Sequence, residues 1–119
     1  MSLAGTRTFI VEDEALILYL LQDMLEDLGC KVAGSAVRLD DALAKAAVLA
    51  FDIAILDVNI AGERIDPVAD LLATRGIPFL FATGYDRASL PSAHRDRVII
   101  AKPYRTRDLE AALAATLPA

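Results

Sequence analysis

The chain has 119 residues, 55% of them hydrophobic, and a formal net charge of −5. This length suits one domain with a real core and is too short for two, so we expect a single domain over 1–119 with its core at about 7–117. No apolar run reaches the roughly 18 residues of a membrane span, and the acidic balance disfavours a nucleic-acid-binding surface. The start lacks a secretory signal, and the single Cys30 suits a reducing cytoplasm, where we expect the protein to reside.

Apolar segments of strand length alternate along the chain with segments of helical spacing. The first helix is predicted from about 14 to 28, where apolar residues recur along one stripe. The second opens at Asp40, a good N-cap, and the third opens at Pro67, which a first helical turn tolerates. The last helix runs from Thr106 to about Leu117. The predicted strands are 8–11, 31–35, 53–56, 79–82 and 98–101.

The stretch 86–97 has a weaker helical pattern, because Pro91 interrupts it and polar residues dilute its apolar stripe. We expect a short or irregular fourth helix there. Strands that alternate with helices form βαβ units, whose helices cover both faces of a parallel sheet. The predicted fold is therefore α/β: a single doubly wound, five-stranded parallel sheet of order 2-1-3-4-5, which is flavodoxin-like, in a (βα)5 arrangement.

Polar side chains follow four of the predicted strands. Glu12 and Asp13 follow the first, Asp57 the third, Thr83 ends the fourth and Lys102 follows the fifth. In this topology they meet at one edge of the sheet, where converging carboxylates repel and need a divalent cation, for which Mg²⁺ is suited by its preference for oxygen ligands. One carboxylate can then accept a phosphoryl group, while the lysine neutralises a phosphoryl oxygen and the threonine hydroxyl donates to another.

These motifs, in this order and spacing, resemble the receiver domains of two-component response regulators, and the resemblance covers about 7–117. The resemblance implies a signalling module that takes a phosphoryl group from a histidine kinase or a histidine phosphotransfer protein and then switches a partner-binding surface. It implies slow self-dephosphorylation at most, so no enzyme in the usual sense, and a monomer or weak dimer. The matching stretches are Val11-Glu12-Asp13-Glu14, Leu56-Asp57, Ala82-Thr83-Gly84 and Lys102-Pro103.

The resemblance also implies a role for each matching residue. Asp57 is the phosphoacceptor, and Glu12 and Asp13 form the acidic pocket. The backbone carbonyl of Asn59 completes the Mg²⁺ site together with these carboxylates. Thr83 matches the switch hydroxyl and Lys102 the phosphate-contacting lysine, whose peptide bond to Pro103 is usually cis in the family.

Three departures from the family pattern bear on the switch. The Met-Pro turn that usually follows the phosphoacceptor is replaced by 58–63, which keeps the turn glycine, and Ile99 stands where an aromatic residue is common. The end of the fourth strand resembles a receiver subgroup with a Phe-Ala-Thr-Gly motif. We therefore expect phosphorylation to order or shift the loop after this strand, which begins with Gly84 and Tyr85.

The first helix carries a predicted partner surface. By resemblance, the face that contains Ala15, Leu18, Tyr19 and Gln22 docks the helical domain with the donor histidine; alternatively, its apolar side chains only cover neighbouring loops. His94, the single histidine, has no second metal-ligating partner beside it, so we expect a solvent-facing residue and no zinc site.

Three other functions compete with this interpretation. A pseudo-receiver would bind partners without being phosphorylated, although Asp13, Asp57, Thr83 and Lys102 are all retained. A phosphohydrolase of the haloacid dehalogenase type needs a second aspartate where Asn59 stands, and its nucleophile follows the first strand. A flavin carrier of the same topology needs a phosphate-binding loop where three acidic residues begin at position 12.

Overall fold

The computed structural model describes residues 3–84 and 87–118, and its centre is a five-stranded parallel sheet. The sheet has the order β2-β1-β3-β6-β7, and the remaining two strands form a separate small hairpin. The predicted doubly wound order 2-1-3-4-5 is thereby confirmed. The seven strands are β1 (Arg7–Val11), β2 (Lys31–Ala36), β3 (Ile53–Leu56), β4 (Asn59–Ile60), β5 (Glu63–Arg64), β6 (Phe79–Thr83) and β7 (Ile99–Ala101).

Four α-helices flank the sheet, and each begins within two residues of its predicted start. The second helix begins at Leu39, so Arg38 is its N-cap and Asp40 lies in its first turn. Among the residues that the structure describes, no helix combines the length and apolar character needed to cross a bilayer. The helices are α1 (Ala15–Asp27), α2 (Leu39–Val48), α3 (Asp66–Thr74) and α4 (Thr106–Thr116).

Two apolar clusters fill the space between the sheet and the helices. Alternate residues of one strand point to opposite faces, so Phe9 joins the cluster under α2 and α3 whereas Ile10 joins the cluster under α1 and α4. Each fully buried side chain of this size stabilises the fold by about 1.5–3 kcal/mol. The two-sided burial of the central strands explains their nearly continuous apolar sequence.

The described residues between β6 and β7 form two short 3-10 turns, Arg87–Ser89 and Ser92–His94, in place of a regular helix. This agrees with the predicted irregular segment; we call residues 87–97 the β6–β7 segment. The prediction that His94 faces solvent is wrong: it is 6% exposed, and its Nε2 lies 2.8 Å from Asp70 Oδ1 on α3. The 3-10 turn directs the imidazole against α3 and the edge of Phe79, which shields the ring from water.

A two-residue antiparallel hairpin, β4–β5, follows β3 and was not predicted. Asn59 pairs with Arg64, and Ile60 with Glu63. The turn residues Ala61 and Gly62 both have positive φ, 52° and 87°, as a tight two-residue hairpin turn requires. The hairpin takes the place of the family's Met-Pro turn, and its two-residue strands are too short to give a periodic signal in the sequence.

Candidate functional site

The sheet extends its backbone ladders one residue past the strands and so positions the site. The amide of Glu12 donates to the carbonyl of Ala36 at 3.1 Å, and the amide of Asp57 donates to that of Val11 at 3.0 Å. On the other side of the sheet, the amide of Lys102 donates to the carbonyl of Thr83 at 3.0 Å. Because these strands are parallel, the side chains that follow them reach the same edge.

Three carboxylates and one ammonium group meet at this edge. Glu12, Asp13 and Asp57 each offer an oxygen within 4.8 Å of the others. Lys102 Nζ lies 2.6 Å from Glu12 Oε1 and 2.9 Å from Asp57 Oδ2. The structure thus brings together four of the side chains that the sequence predicted to converge, and we call Glu12, Asp13 and Asp57 the acidic cluster.

Burial and charge act in opposite directions on the ionisable groups of this site. Burial raises the pKa of Glu12 to about 7, although the hydrogen bond from Lys102 opposes the rise. Burial alone would lower the pKa of Lys102, but hydrogen bonds to Glu12 and Asp57 together outweigh it and raise that pKa to about 12. The lysine is therefore charged at neutral pH, and it holds the two buried carboxylates together.

The acidic cluster fits a divalent cation. Three carboxyl groups face one ammonium group, so the formal charge of the site is −2 when all three are ionised. All the offered ligand atoms are oxygens, the type that Mg²⁺ and Ca²⁺ prefer. Asp13 is only half-buried, so water can reach the cluster on its side, as suits a cation that keeps part of its hydration shell.

Asp57 is held in a fixed orientation. It is 8% exposed, its Oδ1 accepts the amide of Val58 at 2.7 Å, and its Oδ2 accepts Lys102. Thr83 is fully buried at the end of β6, two strands away from β1 in the sheet. An oriented carboxylate beside a lysine is chemically able to act as a nucleophile towards an electrophilic phosphorus.

Two further predicted residues lie on the hairpin and directly after β6. Asn59 belongs to β4 and is exposed, and its side-chain Oδ1 accepts the amide of Gly62 at 2.9 Å. Gly84 is exposed directly after β6. Tyr85 lies outside the described residues.

The residues of the predicted partner surface on α1 differ in their exposure. Ala15 and Tyr19 are exposed and Gln22 is half-buried. Leu18, expected off the core stripe, packs instead against the apolar cluster under α1 and α4, because it lies one helical turn before the buried Leu21. The structure adds two exposed leucines to this face, Leu16 and Leu20, at 70% and 46% exposure.

A groove between α1 and the chain after β7 lies beside the acidic cluster. It has a volume of about 350 Å³ and is almost entirely apolar. Sequence reasoning missed Tyr104 at its wall, although an aromatic residue directly after Lys102-Pro103 is a visible signal. Burial raises the pKa of Tyr104 to about 12, and within 3–84 and 87–118 its hydroxyl finds no hydrogen-bond partner. The lining residues are Ile17, Leu20, Leu21, Met24, Lys102, Pro103 and Tyr104.

The peptide bond between Lys102 and Pro103 is cis, as the resemblance implies.

Cys30 is buried, and its thiol approaches the carbonyl of Leu3 at 3.7 Å. Burial raises the pKa of this thiol, so Cys30 acts as a small hydrophobic residue of the core.

Comparison with known proteins shows close structural relatives. The chain is 45% identical to SdrG from Sphingomonas melonis Fr1, with a TM-score of 0.84 over 97% of this chain and 98% of that one. It is 28% identical to the PhyR response regulator receiver domain of Erythrobacter litoralis, with a TM-score of 0.81 over 94% and 89%. Among curated proteins, the transcriptional regulatory protein PdtaR of Mycobacterium tuberculosis is 31% identical over 87% of this chain and 52% of its own length. No family model matches.

The fold, the strand-end side chains and these relatives define one class of protein. The chain belongs to the receiver domains of response regulators, the regulatory modules of two-component signalling. It spans about half the length of the curated relatives it matches, 44% of PhyR from Methylorubrum extorquens and 52% of PdtaR. The relatives are described as response regulators, transcriptional regulators and anti-anti-sigma factors, and one solved structure as the receiver domain of a modulated diguanylate cyclase.

Proposed function

We propose that this chain is a phosphoacceptor receiver domain in which Asp57 takes a phosphoryl group from a phosphohistidine donor in the presence of Mg²⁺. The observation that carries the proposal is Lys102 Nζ, which lies between Glu12 and Asp57 beside Asp13. A lysine in this position neutralises Asp57 in the unphosphorylated state and can contact a phosphoryl oxygen once that carboxylate becomes an acyl phosphate. A binding module that is never phosphorylated has no need of this set.

The proposed transfer conserves atoms and charge. A carboxylate oxygen of Asp57 attacks phosphorus, the bond from phosphorus to the donor imidazole nitrogen breaks, and the nitrogen keeps the electron pair. Later a water molecule attacks the acyl phosphate, releases inorganic phosphate and restores the carboxylate. We expect this hydrolysis to be slow, so the domain is a transfer partner rather than an enzyme. Mg²⁺ bound by Glu12, Asp13, Asp57 and the carbonyl of Asn59 would offset the negative charge that gathers there.

The response belongs to the loop that follows Thr83. Thr83 is buried at the strand end and would donate its hydroxyl to the phosphoryl group. Ile99, in place of the common aromatic residue, removes the usual partner of that threonine, and the Phe-Ala-Thr-Gly stretch points to the subgroup with an altered switch. SdrG has a solved structure of its beryllofluoride-activated conformation, which favours the same probe for this chain.

The wider setting is also part of the proposal. Residues 1–119 form one receiver domain in the cytoplasm, a monomer or weak dimer without a nucleic-acid surface. A histidine kinase or phosphotransfer protein docks on the face of α1 that carries Leu16, Tyr19 and Leu20, next to the acidic cluster. The output belongs to a partner protein or to residues outside this sequence.

The test compares the wild type with Asp57→Asn and with the control Asp52→Asn. Asp52 is an exposed aspartate that pairs with Arg7 at 3.1 Å at the start of β1, outside the site. We expect a beryllofluoride adduct, detected by ¹⁹F NMR, in the wild type and the control, and none in Asp57→Asn or without Mg²⁺. A wild type that forms no adduct and shows no conformational response would support a pseudo-receiver, and turnover of a phosphate ester would support a hydrolase.

A further inference from the structure

The β4–β5 hairpin contacts the acidic cluster on one side and the β6–β7 segment on the other. At its turn, Ala61 donates its amide to Asp13 Oδ2 at 2.8 Å. At its second strand, Arg64 donates to Asp66 Oδ1 at 2.9 Å and to the carbonyl of Ser89 at 3.0 Å. A single small element therefore connects a carboxylate of the site with the chain that follows β6.

The register of the hairpin places the two ends of this connection opposite one another. Asn59, whose carbonyl is proposed as a cation ligand, pairs directly with Arg64. Two-residue strands with a tight turn have no room to absorb a displacement, so movement of Asn59 carries Arg64 with it. The turn itself is unfavourable, because Ala61 has φ 52°, and the bond to Asp13 helps to hold it.

The β6–β7 segment is anchored unequally along its length. Residues 90–97 hold it against the core, with Leu90 1% exposed, His94 bound to Asp70, and the Arg97 guanidinium 4.0 Å from the centre of the Phe79 ring. Ser89 lies before these anchors, on the side that continues from β6. Arg87, at the exposed start of the segment, donates to the carbonyls of Arg95 and Arg97 at 2.7 and 3.0 Å and so ties this start to the anchored end. The contact from Arg64 thus falls on the exposed start of the segment, on the side nearest to Gly84.

We propose that Arg64 is a positioning residue that couples occupancy of the acidic cluster to the conformation of the β6–β7 segment, through the β4–β5 hairpin. The inference rests on the proposed function, because it takes the acidic cluster as the site of the cation and the phosphoryl group. Asp13 and Asn59 lie on the site side of the hairpin and Ser89 on the response side. By linkage, a change at either side shifts the equilibrium at the other.

The experiment follows amide hydrogen exchange of residues 87–90 with no addition, with Mg²⁺, and with Mg²⁺ and beryllofluoride. It compares the wild type with Arg64→Gln, with Arg64→Lys, which keeps the charge but not the forked guanidinium, and with the control Arg7→Gln. Arg7 has a similar exposed ion pair, to Asp52, at the far end of β1. ¹⁹F NMR of each variant measures the adduct at Asp57 separately from the exchange response.

We expect the exchange of amides 87–90 to change on binding in the wild type and in Arg7→Gln, and this change to be smaller by about fivefold or more in Arg64→Gln. Arg64→Lys should recover only part of it. An equal response in Arg64→Gln and the wild type, with the adduct formed in both, would overturn the coupling and leave the proposed function standing. Failure of the wild type to form the adduct would overturn the proposed function. The measurement with Mg²⁺ alone would then decide the coupling. A response to Mg²⁺ that depends on Arg64 would support it, and a response that does not depend on Arg64 would refute it.

Discussion

Lys102 determines the electrostatic balance of the site at the scale of single residues. Its ammonium group is the one cation in contact with Glu12 and Asp57 in the described part of the chain, and all three side chains are at least four-fifths buried. A buried charge is costly unless it is paired, so the lysine stabilises two carboxylates that would otherwise repel. The sequence predicted the convergence, but not that the lysine spans both acids.

We expect Lys102→Met to lower the free energy of unfolding by about 3 kcal/mol at pH 8 in Mg²⁺-free buffer, because two buried carboxylates lose their counter-charge. The loss should be smaller at pH 5. The pKa of Glu12 is already raised to about 7, so the folded state binds a proton there more readily than the unfolded chain, and its stability falls as the pH rises through that range. Urea unfolding at the two pH values measures both effects.

Lys45→Met is the matched control for that variant. Lys45 forms an exposed i,i+4 pair with Asp41 at 2.8 Å and donates to the carbonyl of Ser35 at 2.7 Å. Each of these interactions contributes about 1 kcal/mol at most, and neither faces a buried carboxylate. We expect a small loss of stability that does not grow between pH 5 and pH 8. A Lys102→Met protein that behaves like this control would show that the acids at the site do not depend on the lysine.

At the scale of elements, the sequence predicts best where periodicity and burial coincide. The strand Ile53–Leu56 has its predicted bounds, because an apolar run buried on both faces ends sharply at a charged residue. The irregular segment before β7 was also visible, since Pro91 and its polar neighbours exclude a regular helix. The β4–β5 hairpin could not be found in this way, because its conformation depends on a bond from Ala61 to Asp13, 48 residues away.

His94 illustrates a second limit of sequence patterns at this scale. A lone polar residue in a weak helical stretch gives no sign of burial, and only the packing of the β6–β7 segment on α3 provides Asp70 as a partner. The ring also meets Phe79 edge-on, with centroids 5.3 Å apart. His94 is therefore a structural anchor that joins this segment to α3 and to the core.

We expect His94→Ala to lower the free energy of unfolding by about 2 kcal/mol, because it removes a buried ring and its hydrogen bond together. In His94→Ala, amides of the β6–β7 segment should exchange faster than they do in the wild type, whereas amides of the central strands should change less. Asp70→Ala, which removes only the partner at an exposed position, should cost less, and the double variant gives the coupling between the two residues. Equal exchange in His94→Ala and the wild type would show that the anchor lies elsewhere.

At the scale of the whole molecule, the proposed function assigns phosphoryl chemistry and partner recognition to two different parts of the surface. The acidic cluster lies at the carboxyl edge of the sheet, whereas exposed apolar side chains of α1 form a face next to it. The sequence predicted the helix and an exposed Tyr19, but it did not show that Leu18 is partly buried against the core or that Leu16 and Leu20 are exposed. Which side chains of a helix face the core depends on where the sheet and the neighbouring helix lie. An apolar stripe in the sequence predicts this orientation only to within about one residue.

A charge on the face of α1 should therefore slow phosphoryl transfer from a protein donor more than transfer from a small-molecule donor. Tyr19 is 64% exposed, so Tyr19→Glu should change stability little, yet it places a carboxylate in an apolar contact. We expect the rate of phosphoryl transfer from a phosphohistidine protein, divided by the rate from acetyl phosphate, to fall about tenfold, which corresponds to about 1.4 kcal/mol of docking energy. Val48→Glu, on α2 and 76% exposed, is the control and should leave this ratio as in the wild type. A similar fall in both variants would mean that added negative charge, rather than the face of α1, weakens the encounter, and no fall in Tyr19→Glu would place the docking surface elsewhere.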